Sequence, residues 1–391
     1  MKNSSVVRLI PFDLGYSFLE FEYSNAQNRD DFLEKLKQEM QRIGLEFIVR
    51  KKHIICEIVL TPNIKCYILD YGAGVFEVRN FLPPEQQEVN DFFGIDTVFS
   101  LYYNKKRGEH SLLDAENETH QKMTELTKIV RKCIKTNIRP VSADSEYKDD
   151  GFSYVLSIYN MDEANEKEID VLMSPSLLSS IENRNKWEMI KENVNNYIPS
   201  FHNEYDTCNY SDKSTIVTSW SAVAVIGADW KEVSLDVINY EIGLQAAWFL
   251  YDAITDNIHE TQFENVELQR IRSIITNIDL EIENIISANM STNKKRAMEA
   301  IYNSSGIDTV KKKLMLLLDN RIAIGEAKSN EQQKKYGIIT EILLVLFTLV
   351  SIYEPVKNLI DGKLVISDYI VGGIMLVAFA ICSFFIIKKE R

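Results

Sequence analysis

The sequence predicts an α/β domain followed by a long-helix stalk and two C-terminal transmembrane helices. Three observations carry that expectation: short alternating apolar runs through residues 1–230, a proline-free run from Ile307 to Tyr353, and two apolar stretches close to the C-terminus. The implied organisation is residues 1–230 as the cytosolic α/β domain, 231–335 as the helical stalk, and 336–391 as a transmembrane hairpin with a short basic tail.

The α/β part is read from residues 5–82. The runs SVVRLI, YSFLEFEY, LEFIVR, HIICEIVL, KCYILDY and VFEVRNF are rich in β-branched and aromatic residues and read as strands. Between them Phe32, Leu36, Met40 and Ile43 recur on one helical face, and Gly44 stands where a helix C-terminus needs a left-handed residue. Pro83-Pro84 marks a boundary, and Met123 to Ile134 returns to helical spacing. FSYVLSIY, STIVTSW and SAVAVIG read as further strands that close the domain near Asp229.

Beyond Val237 the pattern is helical: Val237 to His259, Gln262 to Met290, Lys294 to Asn303, then a run from Ile307 interrupted beforehand only by Ser304, Ser305 and Gly306. That last run of 47 residues would extend roughly 70 Å as one helix. Val310, Leu314, Leu317 and Ile324 give it an apolar stripe, for which a homo-oligomeric stalk supplies partners.

Residues 337–353 (GIITEILLVLFTLVSIY) and 369–387 (YIVGGIMLVAFAICSFFII) reach roughly 26 and 29 Å as helices, near the ~30 Å hydrocarbon core of a bilayer. Lys334 and Lys335 before the first, and Lys388, Lys389 and Arg391 after the second, place both ends in the cytoplasm, the orientation of a multi-pass inner-membrane protein. Pro355 is expected to stop the first helix, and 354–368 to form the outer loop. Gly337, Glu341, Leu344, Thr348 and Ser351 fall on one face of the first stretch. Such a stripe can line a water-filled pathway in a symmetric oligomer, and it equally suits helix contacts within the membrane.

The net charge of −13 lies on residues 1–335, because acidic and basic residues balance in 336–391, and this excludes a broad nucleic-acid-binding surface. Cys56, Cys66, Cys133, Cys208 and Cys382 form no Cys-x-x-Cys pair and read as reduced thiols. The five histidines are isolated, Gly72 and Gly74 suit a turn better than a phosphate loop, and nothing points to an enzyme. Asp149 and Asp150 suit either a divalent cation or plain solvation. Trp220, Trp230, Tyr240, Trp248, Phe249 and Tyr251 suit either stacking on a nucleobase or ordinary core packing, the commoner role.

The order of α/β domain, paired helices, long helix and two terminal stretches ending in KKER resembles the CorA family of membrane proteins. The resemblance implies a homopentamer in a lipid bilayer with the first span around a central pore. Magnesium-carrying members have Tyr-Gly-Met-Asn at the outer end of that span. Residues 351–358 here read SIYEPVKN, and Gly-Met-Asn is absent. Members without it are similar to membrane effectors encoded beside type III CRISPR systems. That implies an antiviral channel gated by a small nucleotide activator, an adenosylmethionine–AMP conjugate or a cyclic oligoadenylate, bound to the cytosolic domain. The alternatives are a divalent-cation (magnesium) transporter, or a tail-anchored scaffold. No residue of a ligand pocket is assignable from the sequence.

Overall fold

The computed structural model describes residues 3–14, 18, 25–50, 53–79, 96–97, 109–134, 153–161, 169, 172–173, 205–260, 263–287, 291–362 and 366. The chain divides into two compact units, Met1–Asn320 and Arg321–Arg391.

The first unit is built on a mixed sheet. Its strands are β1 (Asn3–Asp13), β2 (Glu46–Val49), β3 (Ile54–Thr61), β4 (Ile64–Leu69), β5 (Ala73–Arg79), β6 (Asp96–Thr97), β7 (Tyr154–Met161), β8 (Asp206–Ser211), β9 (Ser214–Ser219) and β10 (Ala222–Gly227). They run in the order β2-β3-β4-β5-β1-β7-β10-β9-β8, and the two-residue β6 lies beside the start of β1. Neighbours along this path are antiparallel except β7 and β10, which are parallel. A four-stranded meander, β2-β3-β4-β5, and a three-stranded one, β8-β9-β10, therefore flank the central pair β1-β7.

The period of two along each strand sorts its side chains between two faces. One face carries Ile10, Phe12, Cys56, Ile58, Cys66, Ile68 and Phe76, all buried with Phe32, Leu36 and Met40 of α1 (Asn25–Arg42) and Met123, Leu126 and Val130 of α2 (Glu109–Cys133). Helix α1 ends as its sequence predicts. Gly44 adopts φ +74°, its N–H donates to the Gln41 carbonyl, and Leu45 N–H donates to the Met40 carbonyl, so the last carbonyls are satisfied.

The other face is covered by α3 (Trp230–Glu260), which contacts β1, β5, β7 and β10. Helix α3 is apolar around most of its circumference because α4 (Asn265–Ser287) and α5 (Thr292–Ser304) also pack on it. Ser291 caps α5 by accepting from Lys294 N–H. Gly306 at φ +67° turns the chain into α6 (Ile307–Ile360). The first turns of α6 are fixed to α4 by Lys311–Asp279 (2.9 Å) and Arg272–Asp319 (3.4 Å), and Leu314 and Leu318 are fully buried. The stripe expected to wait for a second copy is thus already occupied in part by this chain, while Ile324 stays exposed.

The expected pair of transmembrane helices is corrected. Among the described residues no helix is long and apolar enough to cross a membrane. Residues 337–353 lie inside α6, which arrives through charged residues such as Glu331, Lys334 and Lys335 and continues past Lys357. The apolar run is interrupted by Thr340, Glu341 and Thr348, and at 17 residues it stands at the short end of the roughly 17–25 a span needs. The backbone also stays helical through Pro355; it turns only at Asp361-Gly362, where Gly362 has φ +65°. The second stretch, 369–387, lies outside the described residues, as do Asp149 and Asp150.

Candidate functional site

The candidate site is a cavity of about 580 Å³ in the first unit. It opens where the β2–β5 end of the sheet diverges from α3 and α4. Its lining falls into a sheet wall (Arg50, Glu57, Lys65, Tyr67, Arg79), a helical wall (Asp236, Asn239, Tyr240, Glu281, Asn284), and His53, Ile54, Leu235 and Ile285 between them.

The sheet wall follows from strand alternation. Cys56, Ile58, Cys66 and Phe76 point into the core under α1 and α2, so Glu57, Lys65, Tyr67, Glu77 and Arg79 face the other way. Register sets them side by side: Glu57 pairs with Tyr67, and Lys65 with Glu77. Two carboxylates organise this face. Glu57, 1% exposed, accepts from Lys65 Nζ at 2.7 Å and from Arg50, whose Nε lies 3.0 Å away and whose Nη2 also donates. Glu77, fully buried, accepts from the Tyr67 hydroxyl at 2.6 Å and from Arg79 Nε. Burial alone would raise the Glu57 pKa, yet the hydrogen bonds from Lys65 and Arg50 outweigh it and hold the carboxylate below its usual value. Tyr67 is pushed the other way, by burial first and by the Glu77 charge second, so it remains a phenol.

The helical wall is positioned by close packing at Gly243. The Tyr71 hydroxyl donates to the Gly243 carbonyl at 2.6 Å, and a Cβ there would lie 3.1 Å from Ile285 Cδ1 and 3.8 Å from His53 Cδ2. Glycine lets α3 approach the β4–β5 turn and α4 at once. One turn earlier, Tyr240 lines the cavity. It is 2% exposed, and its hydroxyl has no hydrogen-bond partner among the described residues. A buried phenol without a partner costs free energy unless something else satisfies it.

Asp70, just after β4, is buried, with Oδ1 unpartnered among the described residues. Burial, then the charge of Glu281, push its pKa up to about 8. The helical wall carries the carboxyl groups Asp236 and Glu281, and the sheet wall the cations Arg50, Lys65 and Arg79 beside Glu57. Asp236 of α3 is held separately, by the Tyr210 hydroxyl and by Lys294 Nζ at 3.1 Å.

The five residues singled out for a pore, Gly337, Glu341, Leu344, Thr348 and Ser351, all lie on α6 in the second unit and none lines the cavity. Glu341 and Leu344 are exposed, and the Thr348 hydroxyl donates to its own helix, to the Leu344 carbonyl at 2.7 Å. Of the aromatic tract, Tyr240 alone reaches the cavity; Tyr251 is buried and donates to Asp279 Oδ1 at 2.6 Å, and Trp220 is exposed. Among the described residues no group of three or more His, Cys, Asp or Glu is placed to hold a metal ion.

No family model matches the chain, and neither a curated protein nor a solved structure is significantly similar to it.

Proposed function

We propose that the first unit is a sensor for a small nucleotide-class ligand, a second messenger such as a cyclic oligoadenylate or an adenosylmethionine–AMP conjugate, bound in the cavity between the β2–β5 sheet wall and helices α3 and α4. The observation that carries this reading is a cavity whose sheet wall presents Arg50, Lys65 and Arg79, with Arg50 and Lys65 both held on the buried Glu57. A cavity of this volume with a few convergent polar groups suits a small organic ligand, and guanidinium and ammonium groups are the usual recognition elements for phosphate.

The output runs through α4 into α6. Helix α4 carries Glu281, Asn284 and Ile285 on the cavity and Asp279 on Lys311 of α6, so one rigid element touches both the ligand and the first turns of the long helix. A ligand that binds one position of α4 better than another shifts the population of α6 by that difference in affinity and no more.

The test is thermal unfolding of the full chain against cyclic oligoadenylates, adenosylmethionine–AMP and mononucleotides. Saturation at about 100 times Kd stabilises a binding protein by roughly 2.7 kcal/mol, a rise of several degrees in Tm. A panel that leaves Tm unchanged at millimolar concentration overturns the reading.

A further inference from the structure

We propose that Glu57 is the positioning residue of a phosphate subsite: from within the sheet it holds Arg50 and Lys65 as a pair, and their remaining donors grip the phosphate of the ligand. This rests on the nucleotide reading above and specifies which residues hold the phosphate and which one aims them.

The arrangement comes from three adjacent strands. Glu57 lies on β3, opposite Ile48 of β2 and Tyr67 of β4. Arg50 stands two residues beyond Ile48 and Lys65 two residues before Tyr67, so strand alternation brings both to the face of Glu57, one from each side. The Arg50 backbone is itself fixed, its N–H donating to the Ile55 carbonyl at 2.9 Å. Each cation then takes its own carboxylate oxygen. Lys65 Nζ donates to Oε1 at 2.7 Å, and Arg50 donates to Oε2 through Nε at 3.0 Å and through Nη2.

Glu57 sits beneath the pair at 1% exposure, whereas the Arg50 and Lys65 side chains are 50% and 30% exposed, and both line the cavity. One carboxylate answers two cations, which leaves a net positive charge at this point, while Arg79 on the same wall is matched by Glu77. Among the described residues, both Nη1 protons of Arg50 and the remaining protons of Lys65 Nζ are spent on no other group. A planar guanidinium beside an ammonium, both anchored on one base, is a donor set for phosphate oxygens. The opposite wall reinforces the placement. Of its two carboxylates, Asp236 is answered by Lys294 Nζ at 3.1 Å, while Glu281 repels an anion and favours its lying against the sheet.

Calorimetric titration of the full chain with AMP, adenosine and inorganic phosphate tests this, using two isosteric substitutions that change the charge equally. AMP should bind the parent chain about tenfold tighter than adenosine. Glu57→Gln removes a negative charge beside the anion, so a purely electrostatic role predicts tighter AMP binding. Positioning predicts the reverse, a loss of about tenfold, because an amide turns donors toward donors and cannot hold both cations. Glu57→Asp keeps the charge, withdraws the carboxylate by one methylene, and should weaken AMP in the same direction. Glu281→Gln, on the opposite wall, should leave AMP binding unchanged or tighten it. Arg50→Gln, at a half-exposed position with little burden on folding, should bring AMP to the adenosine level and reduce the salt dependence of binding; Arg50→Lys should restore part of both. AMP affinity that is unaltered or raised in Glu57→Gln, or lowered equally in Glu57→Gln and Glu281→Gln, overturns the positioning role. AMP affinity unaltered in Arg50→Gln overturns the subsite, and the nucleotide reading survives wherever AMP still binds. Inorganic phosphate bound as tightly as AMP, with the same dependence on Arg50, keeps the subsite and removes the nucleotide reading. Failure of AMP and phosphate alike to bind removes both.

Discussion

Lys65 on β4 reaches diagonally to Glu57 on β3 and sets its Nζ 2.7 Å from Oε1, on a sheet face where the carboxylate is almost fully enclosed. The pair converts strand alternation into a functional surface, because the acid would be intolerable there without its two cations and the cations would have no fixed position without the acid.

Replacing Glu57 by glutamine should therefore destabilise the fold by about 2 kcal/mol at pH 7, less than a fully enclosed pair because Arg50 and Lys65 regain water. The folded pKa of Glu57 is lowered, so its stabilisation is present above the unfolded carboxyl value and disappears as pH falls through the folded one. Denaturant unfolding of both proteins at pH 7 and pH 3 should show the gap closing in acid. A gap independent of pH contradicts the assignment.

Asp70 behaves in the opposite sense. Its folded pKa of about 8 lies above the ordinary 3.8, so the native state holds a proton that the unfolded chain releases, and stability falls as pH rises between those values. Asp70→Asn keeps an acceptor and removes the ionisation. Its Tm should exceed that of the parent chain by several degrees at pH 8 and match it near pH 4. Glu241, buried with Tyr154 and Gln245 bonded to it, has its pKa pushed by burial up to about 7, and Glu241→Gln should flatten the same part of the curve.

Gly74 faces the ring of Phe12, and a Cβ there would come within 2.1 Å of it. Phe12 is buried and stacked on Phe76 at 5.1 Å, so the ring has no easy escape. Gly74→Ala should cost about 2–3 kcal/mol by overpacking, read from the urea midpoint. A neutral result would mean that the β1–β5 core is looser than its geometry indicates.

Tyr240→Phe tests the cost of the unpartnered hydroxyl. Because the hydroxyl has no protein partner, its removal should leave the free protein as stable as before or up to about 1 kcal/mol more stable. A loss of stability in the free protein would show that the hydroxyl is satisfied internally.

Much of this fold is legible in sequence because its signals are local. The alternation of IICEIVLT and AGVFEVR gives β3 and β5, the spacing of Phe32, Leu36 and Met40 gives α1, and Gly44 gives its end. Strand β8 (DTCNYS) lacks the pattern because most of its side chains lie at the polar edge of the sheet. Pro11 sits within β1 opposite Val75, and Pro355 within α6, where tertiary or helical continuity prevails over the local preference of proline. Residues 337–353 read as a membrane span from their own apolar composition, whereas in the structure they are part of the 54-residue α6, and among the described residues no helix is long and apolar enough to cross a membrane. The cavity was illegible for another reason: its lining comes from seven segments between Arg50 and Ile285, brought together only by sheet order and the close approach at Gly243. One trace was available, since Glu57 and Glu77 are carboxylates set within otherwise apolar strands, and such residues need buried partners.

Hydrogen–deuterium exchange of the full chain, with and without the nucleotide that gives the largest rise in Tm, reads directly whether the cavity is the ligand site. Slowed exchange is expected at Arg50–Tyr67, at Leu235–Gly243 and at Glu281–Ile285, with a change carried into the first turns of α6. Protection confined to other segments, with these unchanged, would contradict the cavity as the ligand site.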